Sequence, residues 1–171
     1  KREKHFAHKA ATRNCTEETY LHRLAKQVFL EEYHWCLAHD ERFDIELTYP
    51  RVCRKYKENL GQSCHIGSCK KSHDLTQYYD TIKLEQRDGQ FVPDLLLGSS
   101  YAPDRMLYVE IAVTHFLAEP KAASGHKIIE IPIETEDSIA TIRRHRITEA
   151  DASFVNFSIQ AVQVVDDECR C

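Results

Sequence analysis

Long hydrophobic runs are missing from this 171-residue sequence. Nothing approaches the ~20 consecutive apolar residues of a transmembrane helix, so no membrane span is expected. Glycine and proline are scarce, five of each, which excludes collagen-like repeats and Pro/Gly-rich disorder. There is no internal repeat, no low-complexity segment, and no Gly-x-Ser-x-Gly elbow of the kind a serine hydrolase uses. A secretory leader is not expected, because the first residues, KREKHFAHKAATRN, are polar throughout. Methionine occurs once, at Met106, and the sequence stops at Cys169-Arg170-Cys171; a fragment of a longer chain is expected. Excess positive charge is also absent. A net charge of −4 argues against a general basic coat for nucleic acid and leaves phosphates to a local patch or a bound divalent cation.

What is present is 42% hydrophobic and 29% charged sequence, the profile of one compact domain, with or without a small module. At this length folding buries about two thirds of the unfolded surface, enough for a core without disulfides. Seven cysteines and ten histidines are many for such a domain. Three of the cysteines and two histidines crowd into residues 53–73. An odd cysteine total with interleaved histidine and no leader favours metal over disulfides, in a reducing, cytoplasmic compartment.

Apolar positions Tyr20, Leu21, Leu24, Ala25, Val28 and Phe29 recur at helical spacing, predicting a long helix over 16–38 that starts near Thr16 with Glu17 and Glu18 in its first turn. Phe43, Ile45, Leu47 and Tyr49 alternate with polar residues, the period of a half-buried strand ended by Pro50. Residues 51–75 show neither period and read as an inserted module. Residues 80–87 and 90–97 around Asp88-Gly89 read as a hairpin. Residues 106–113 read as a central strand, apolar at nearly every position. A short helix over 116–123, a strand over 127–133, a second short helix over 136–144 and a final strand over 154–165 complete the pattern. Helix, three strands, helix, strand predicts an α/β mixed-sheet core.

Two acidic residues stand where strands should be apolar: Asp94, after Pro93, and Glu110, within Leu-Tyr-Val-Glu-Ile-Ala-Val. Burying an unpartnered carboxylate costs several kcal/mol, so two on adjacent strands ask for a cation. Carboxylate oxygens suit Mg²⁺ or Mn²⁺, and such an ion polarises a phosphodiester and activates water. Glu18, His22 and Lys26, spaced by four, share one helix face that can point at the same spot. The plainer alternative for His22 and Lys26 is a solvated face. For Asp94 it is a carboxylate capping a turn. His115, after Thr114, is a further candidate to line the same cleft, with an ordinary hydrogen-bonding histidine as its plainer alternative.

Pro93-Asp94, sixteen positions before Glu110-Ile111-Ala112 in that element order, resembles the PD-(D/E)XK nuclease superfamily. HFAH at 5–8, Cys15, Glu18-x-x-Leu21-His22-x-x-x-Lys26, VEIAVTH at 109–115 and SGHKIIEI at 124–131 resemble, more narrowly, the competence protein CoiA nuclease-like family. The resemblance implies a metal-dependent DNA endonuclease core in bacterial DNA uptake or phage defence, with Glu18, Asp94 and Glu110 around Mg²⁺. It departs from the pattern at Ala112, where the superfamily has lysine. Lys121 on the following helix is the first candidate to replace it, Lys127 the second and Lys26 the third.

Cys53, Cys64, Cys69 and His73, separated by ten, four and three residues, make three thiolates and one imidazole, a tetrahedral set for structural Zn²⁺. Their order resembles CCCH zinc fingers. Zinc would hold a knuckle at about 51–75 that burial alone cannot, with His65 as an alternative ligand. Arg54, Lys55, Tyr56, Lys57, Lys70 and Lys71 would give it a basic, partly aromatic surface. His5, His8 and Cys15, and separately Cys169 and Cys171, look like parts of further sites; Cys36 reads as a buried small hydrophobe. The expectation is a single nuclease-like domain over 1–171 with an inserted zinc module, DNA as its partner ahead of RNA, no membrane, and room for other domains or subunits of a larger assembly. The rival readings are a degenerate nuclease core that only binds nucleic acid, and a partner-docking domain.

Overall fold

The computed structural model describes residues 17–55, 57, 61, 63–113 and 119–164. The first helix, α1 (Glu17–His39), follows the predicted stripe. Leu21, Ala25, Val28, Phe29, Tyr33 and Cys36 are buried along it, one face of a 3.6-residue period. It stops where Asp40 takes a left-handed backbone (φ 55) and the Glu41 amide donates to the Cys36 carbonyl at 3.0 Å, a closure that aspartate tolerates better than most non-glycine residues.

The long strand β1 (Asp44–Cys53) pairs antiparallel with β2 (Cys64–Asp74). Of the segment 51–75, expected as a separate zinc-held module, residues 51–53 and 64–74 therefore belong to a sheet: they extend β1 and build β2. Their weak periodicity has a physical reason. Most of β2 is exposed on both faces, so little of it is selected for apolar alternation. A 3-10 turn (Leu75–Gln77) follows, and buried Asp74 holds it by accepting from the Phe43 and Thr76 amides.

Next come β3 (Thr81–Leu84), β4 (Leu95–Gly98), β5 (Met106–Ala112), the short α2 (Glu119–Ala122) and β6 (Lys127–Pro132). A second 3-10 turn (Glu136–Ile139) runs into α3 (Ala140–Arg143), and the chain continues through β7 (Arg146–Thr148), β8 (Ser153–Val155) and β9 (Val162–Val164). Two mixed sheets result. In the first, β1 lies between antiparallel β2 on one side and parallel β7 and β9 on the other. The second has the order β3-β4-β5-β6-β8, antiparallel except for the parallel β5–β6 pair. The single strand expected over 154–165 is two short ones, β8 and β9, one in each sheet. The predicted hairpin exists, but its strands are shorter than expected, because the 85–94 connection contains only an isolated bridge at Asp88–Phe91.

The fold is thus α/β with mixed sheets. Five strands, β1 to β5, stand between α1 and α2 where three were expected, and β6 follows α2. One core joins α1 to both sheets through Phe29, Tyr33, Phe43, Leu107 and Ile129; the Phe29 and Phe43 ring centroids are 5.0 Å apart. Leu96, Tyr108 and Ile128 form a second cluster. Alternation along β5 sends Leu107, Val109 and Ile111 to the first cluster and Tyr108 to the second. No helix is long and apolar enough to cross a membrane among the described residues.

Candidate functional site

The register of β4 against β5 pairs Leu95 with Val109. Asp94, one residue before β4, therefore stands opposite Glu110, one residue further along β5. The Ile111 amide donates to Asp94 Oδ2 at 2.9 Å, which anchors the aspartate to the neighbouring strand. One turn of α1 reaches the same carboxylate. His22 Nε2 lies 3.0 Å from Oδ2 and Lys26 Nζ 3.4 Å from Oδ1. The i, i+4 spacing puts both α1 side chains on the face that looks at the end of β4.

Lys26 is buried, and its closest counter-charge is Glu85, 2.5 Å away. Burying an ammonium is tolerable only with such pairing. Glu85 follows β3 in a left-handed conformation (φ 47), and its amide donates to the Asp94 carbonyl at 2.9 Å. This extra rung past the β3–β4 ladder brings Glu85 beside Asp94. Hydrogen bonding and charge from Lys26 hold the Glu85 carboxyl below its ordinary range.

On the other side, Lys121 of α2 places Nζ 2.5 Å from Glu110 Oε1 and donates to the Val92 carbonyl at 3.2 Å. Both side chains of the pair are 15% exposed. Burial pushes the Glu110 carboxyl up to about 7; the Lys121 ammonium opposes the rise and the Asp94 charge adds to it. A carboxyl poised near neutrality, in contact with a lysine and beside a second carboxylate, is able to exchange a proton at working pH or to accept a cation.

Asp94, Glu110, Lys121, His22 and Lys26 thus come together. Glu18 lies on the first turn of α1, but its side chain falls outside the described ones, as does all of His115. Lys127 goes elsewhere: at the start of β6 its ammonium sits 5.7 Å above the Phe157 ring, which removes it from the candidates for the missing lysine. Ala112 is buried at the end of β5. Sequence reasoning missed Glu85 and the Val92 carbonyl. Glu85 sits in a polar turn with nothing in its spacing to single it out, and a backbone acceptor carries no sequence signal.

The four proposed zinc ligands do not converge. The ladder pairs Cys53 with Cys64, Tyr49 with Cys69 and Ile45 with His73. At about 3.3 Å per residue, Cys69 stands roughly 13 Å and His73 roughly 26 Å along the hairpin from the Cys53–Cys64 end, whereas ligands of one zinc ion lie within about 4 Å of each other. Cys64 is disulfide-bonded, against the expectation of metal over disulfides for these cysteines, and His73 Nε2 is 2.8 Å from the Tyr49 hydroxyl. His65 is exposed on β2. Among the described residues no three His, Cys, Asp or Glu side chains form a metal-holding group. The further candidates His5, His8, Cys15, Cys169 and Cys171 lie outside the described residues. Cys36 is buried, as expected, with its Sγ 3.6 Å from the Arg42 carbonyl.

No family model, curated protein or solved structure matches the chain.

Proposed function

We propose that this domain is a divalent-metal-dependent nuclease of PD-(D/E)XK type that hydrolyses phosphodiester bonds, of DNA ahead of RNA, in the bacterial cytoplasm. The observation that carries the reading is the juxtaposition of Asp94 and Glu110 on neighbouring strands with the Lys121 ammonium 2.5 Å from Glu110. The chain lacks the pattern's lysine at position 112, and a lysine from the next helix reaches the same carboxylate. The motifs of the CoiA-like resemblance and the succession of β3, β4, β5, α2 and β6 add support.

The donor set fits Mg²⁺ or Mn²⁺ in chemistry, because Asp94 and Glu110 supply hard oxygen ligands and Glu18 is the candidate third. The bound ion would polarise the scissile phosphate and acidify an attacking water. Asp94 is held in place by the Ile111 amide and by His22. Lys121 orients the water beside Glu110 and offsets charge that develops on the phosphate. The exposed basic side chains Arg54, Lys57, Lys70 and Lys71 of the β1–β2 hairpin offer phosphate contacts outside the centre.

A second reading has its own observation. Each carboxylate already has a protein cation, Asp94 through Lys26, which it shares with Glu85, and Glu110 through Lys121, so much of the cluster's negative charge is offset without metal. This favours a degenerate core that binds nucleic acid, or docks a partner, without cutting. Incubating supercoiled plasmid, single-stranded DNA and RNA with the protein and Mg²⁺ or Mn²⁺ separates the two. Metal-dependent cleavage lost in Asp94→Asn establishes the nuclease and its substrate. Absence of cleavage with either metal, alongside nucleic-acid binding that survives EDTA, establishes the degenerate core.

A further inference from the structure

A cavity of about 350 Å³ opens between the two sheets, away from the carboxylate centre. Its volume is at the small end of the range for pockets that bind organic ligands. The floor is apolar, made by Ile45, Leu47 and Leu75. The walls are the rings of Tyr49, Tyr78 and Phe157. At the rim stand Arg105, just before β5, and Lys127, the first residue of β6. Lys127 is paired in register with Leu107, on the β5 face that looks into the main core. Glu110 is three residues further on, at the opposite phase of the strand's alternation. The cavity and the carboxylate centre are therefore two places in the fold.

The rim cations have an unusual partnership. Arg105 lies 5.8 Å from the centroid of Tyr78 and Lys127 5.7 Å from that of Phe157. Neither has a carboxylate within ion-pair distance among the described residues, although the same chain pairs Lys26, Lys70, Lys121, Arg42, Arg144 and Arg146 with acids. An exposed cation over a ring gains only about 0.5–1 kcal/mol, while a charge-assisted bond to a phosphate oxygen is stronger. Both cations are thus positioned for an anion at modest cost. Swinging them toward it uncovers the two rings for stacking. A third cation, Lys71, lies 5.3 Å over Tyr49, adding to the positive potential. A purely apolar ligand would leave this potential unused, and a bare anion would leave the rings and floor unused.

We infer that this cavity is a nucleotide-binding site, in which the base stacks among Tyr49, Tyr78 and Phe157 and the phosphate is held by Arg105 and Lys127. The inference does not rest on the nuclease reading. The nucleotide has two sources, a free mononucleotide or one nucleotide of a strand. Base–aromatic stacking serves both.

Isothermal titration of the full chain with AMP, adenosine, inorganic phosphate and a single-stranded oligonucleotide tests it. AMP is expected to bind saturably, with adenosine and phosphate each at least tenfold weaker. Arg105→Ala and Tyr78→Ala, both at exposed positions, should each weaken AMP at least tenfold, and Arg105→Lys less than Arg105→Ala. Glu110→Gln should leave AMP affinity within twofold, which keeps this site separate from the carboxylate centre. Displacement of AMP by the oligonucleotide, together with at least tenfold weaker direct binding of the oligonucleotide to Arg105→Ala, assigns the site to a strand; AMP binding without displacement assigns it to a free nucleotide. Either result supports the inference. Failure of both AMP and the oligonucleotide to bind saturably overturns it, as does AMP binding unaffected by Arg105→Ala and Tyr78→Ala in folded protein.

Discussion

Lys121 Nζ lies 2.5 Å from Glu110 Oε1, and the two residues come from different elements, a short helix and the central strand of a five-stranded sheet. Residue 112, two positions beyond Glu110 on the same face of β5, is alanine. A lysine there would approach the same carboxylate along the strand. On the proposed nuclease reading, Lys121→Ala is therefore expected to lower Mg²⁺-dependent cleavage by about 10²–10³-fold, the scale of losing one positioned charge in a catalytic centre. Adding Ala112→Lys to that variant should restore at least tenfold. Single-turnover cleavage rates of the two variants check this, and a double variant no faster than Lys121→Ala would detach Lys121 from the missing lysine's role.

Glu110 also makes stability depend on pH. Its carboxyl, near 4.5 in the unfolded chain, is pushed up to about 7 by burial. Between those values the native state holds the extra proton. The stability this group contributes is thus fully present below about pH 4.5 and is lost as pH rises through 7. The loss is on the order of 3 kcal/mol at most. Glu110→Gln removes the titration and keeps an amide for Lys121 to contact. In metal-free buffer the Tm of wild type minus that of Glu110→Gln should fall by several degrees from pH 4.5 to 8; a difference flat over that range would contradict the shift.

Asp94 accepts the Ile111 amide and faces both His22 and Lys26, so its charge and its hydrogen bond can be separated. Asp94→Asn keeps an acceptor for the amide, and Lys26 keeps Glu85. Asp94→Ala leaves the amide unpaired, at a cost of about 1–3 kcal/mol. On the proposed nuclease reading cleavage should be lost in both variants, while only Asp94→Ala lowers Tm by more than a few degrees. Equal Tm values, or cleavage retained in Asp94→Asn, would refute this division of roles.

How legible the molecule was depends on which physical signal each part carries. α1 and β5 were readable because each buries a periodic or continuous apolar set. The Asp94–Glu110 pairing was readable because a carboxylate in an apolar strand is conspicuous. Lys121 followed from asking which cation could replace the one missing at Ala112. Glu85 was not readable, since a one-residue extension of a ladder and a positive φ place it, and neither leaves a pattern. The cysteine segment misled for a definite reason. Spacing along the chain says which ligands are available, but convergence at a metal requires the chain to fold back between them, and β2 runs extended instead.

That extended strand makes a prediction about metal removal. Cys69 and His73 sit opposite Tyr49 and Ile45 on one ladder, where hydrogen bonds between strands hold them. Cys69→Ser should be nearly neutral. His73→Ala should cost about 1 kcal/mol, the worth of its bond to the Tyr49 hydroxyl, a Tm drop of about 2–4 °C at this chain length. The Tm of the variant carrying both should respond to EDTA no differently from wild type, and elemental analysis should give the same zinc content for the two proteins. One equivalent of zinc present in wild type and missing from the double variant would mean that the Cys64 disulfide is reduced and the hairpin opens to gather these ligands, and would restore the four-residue site.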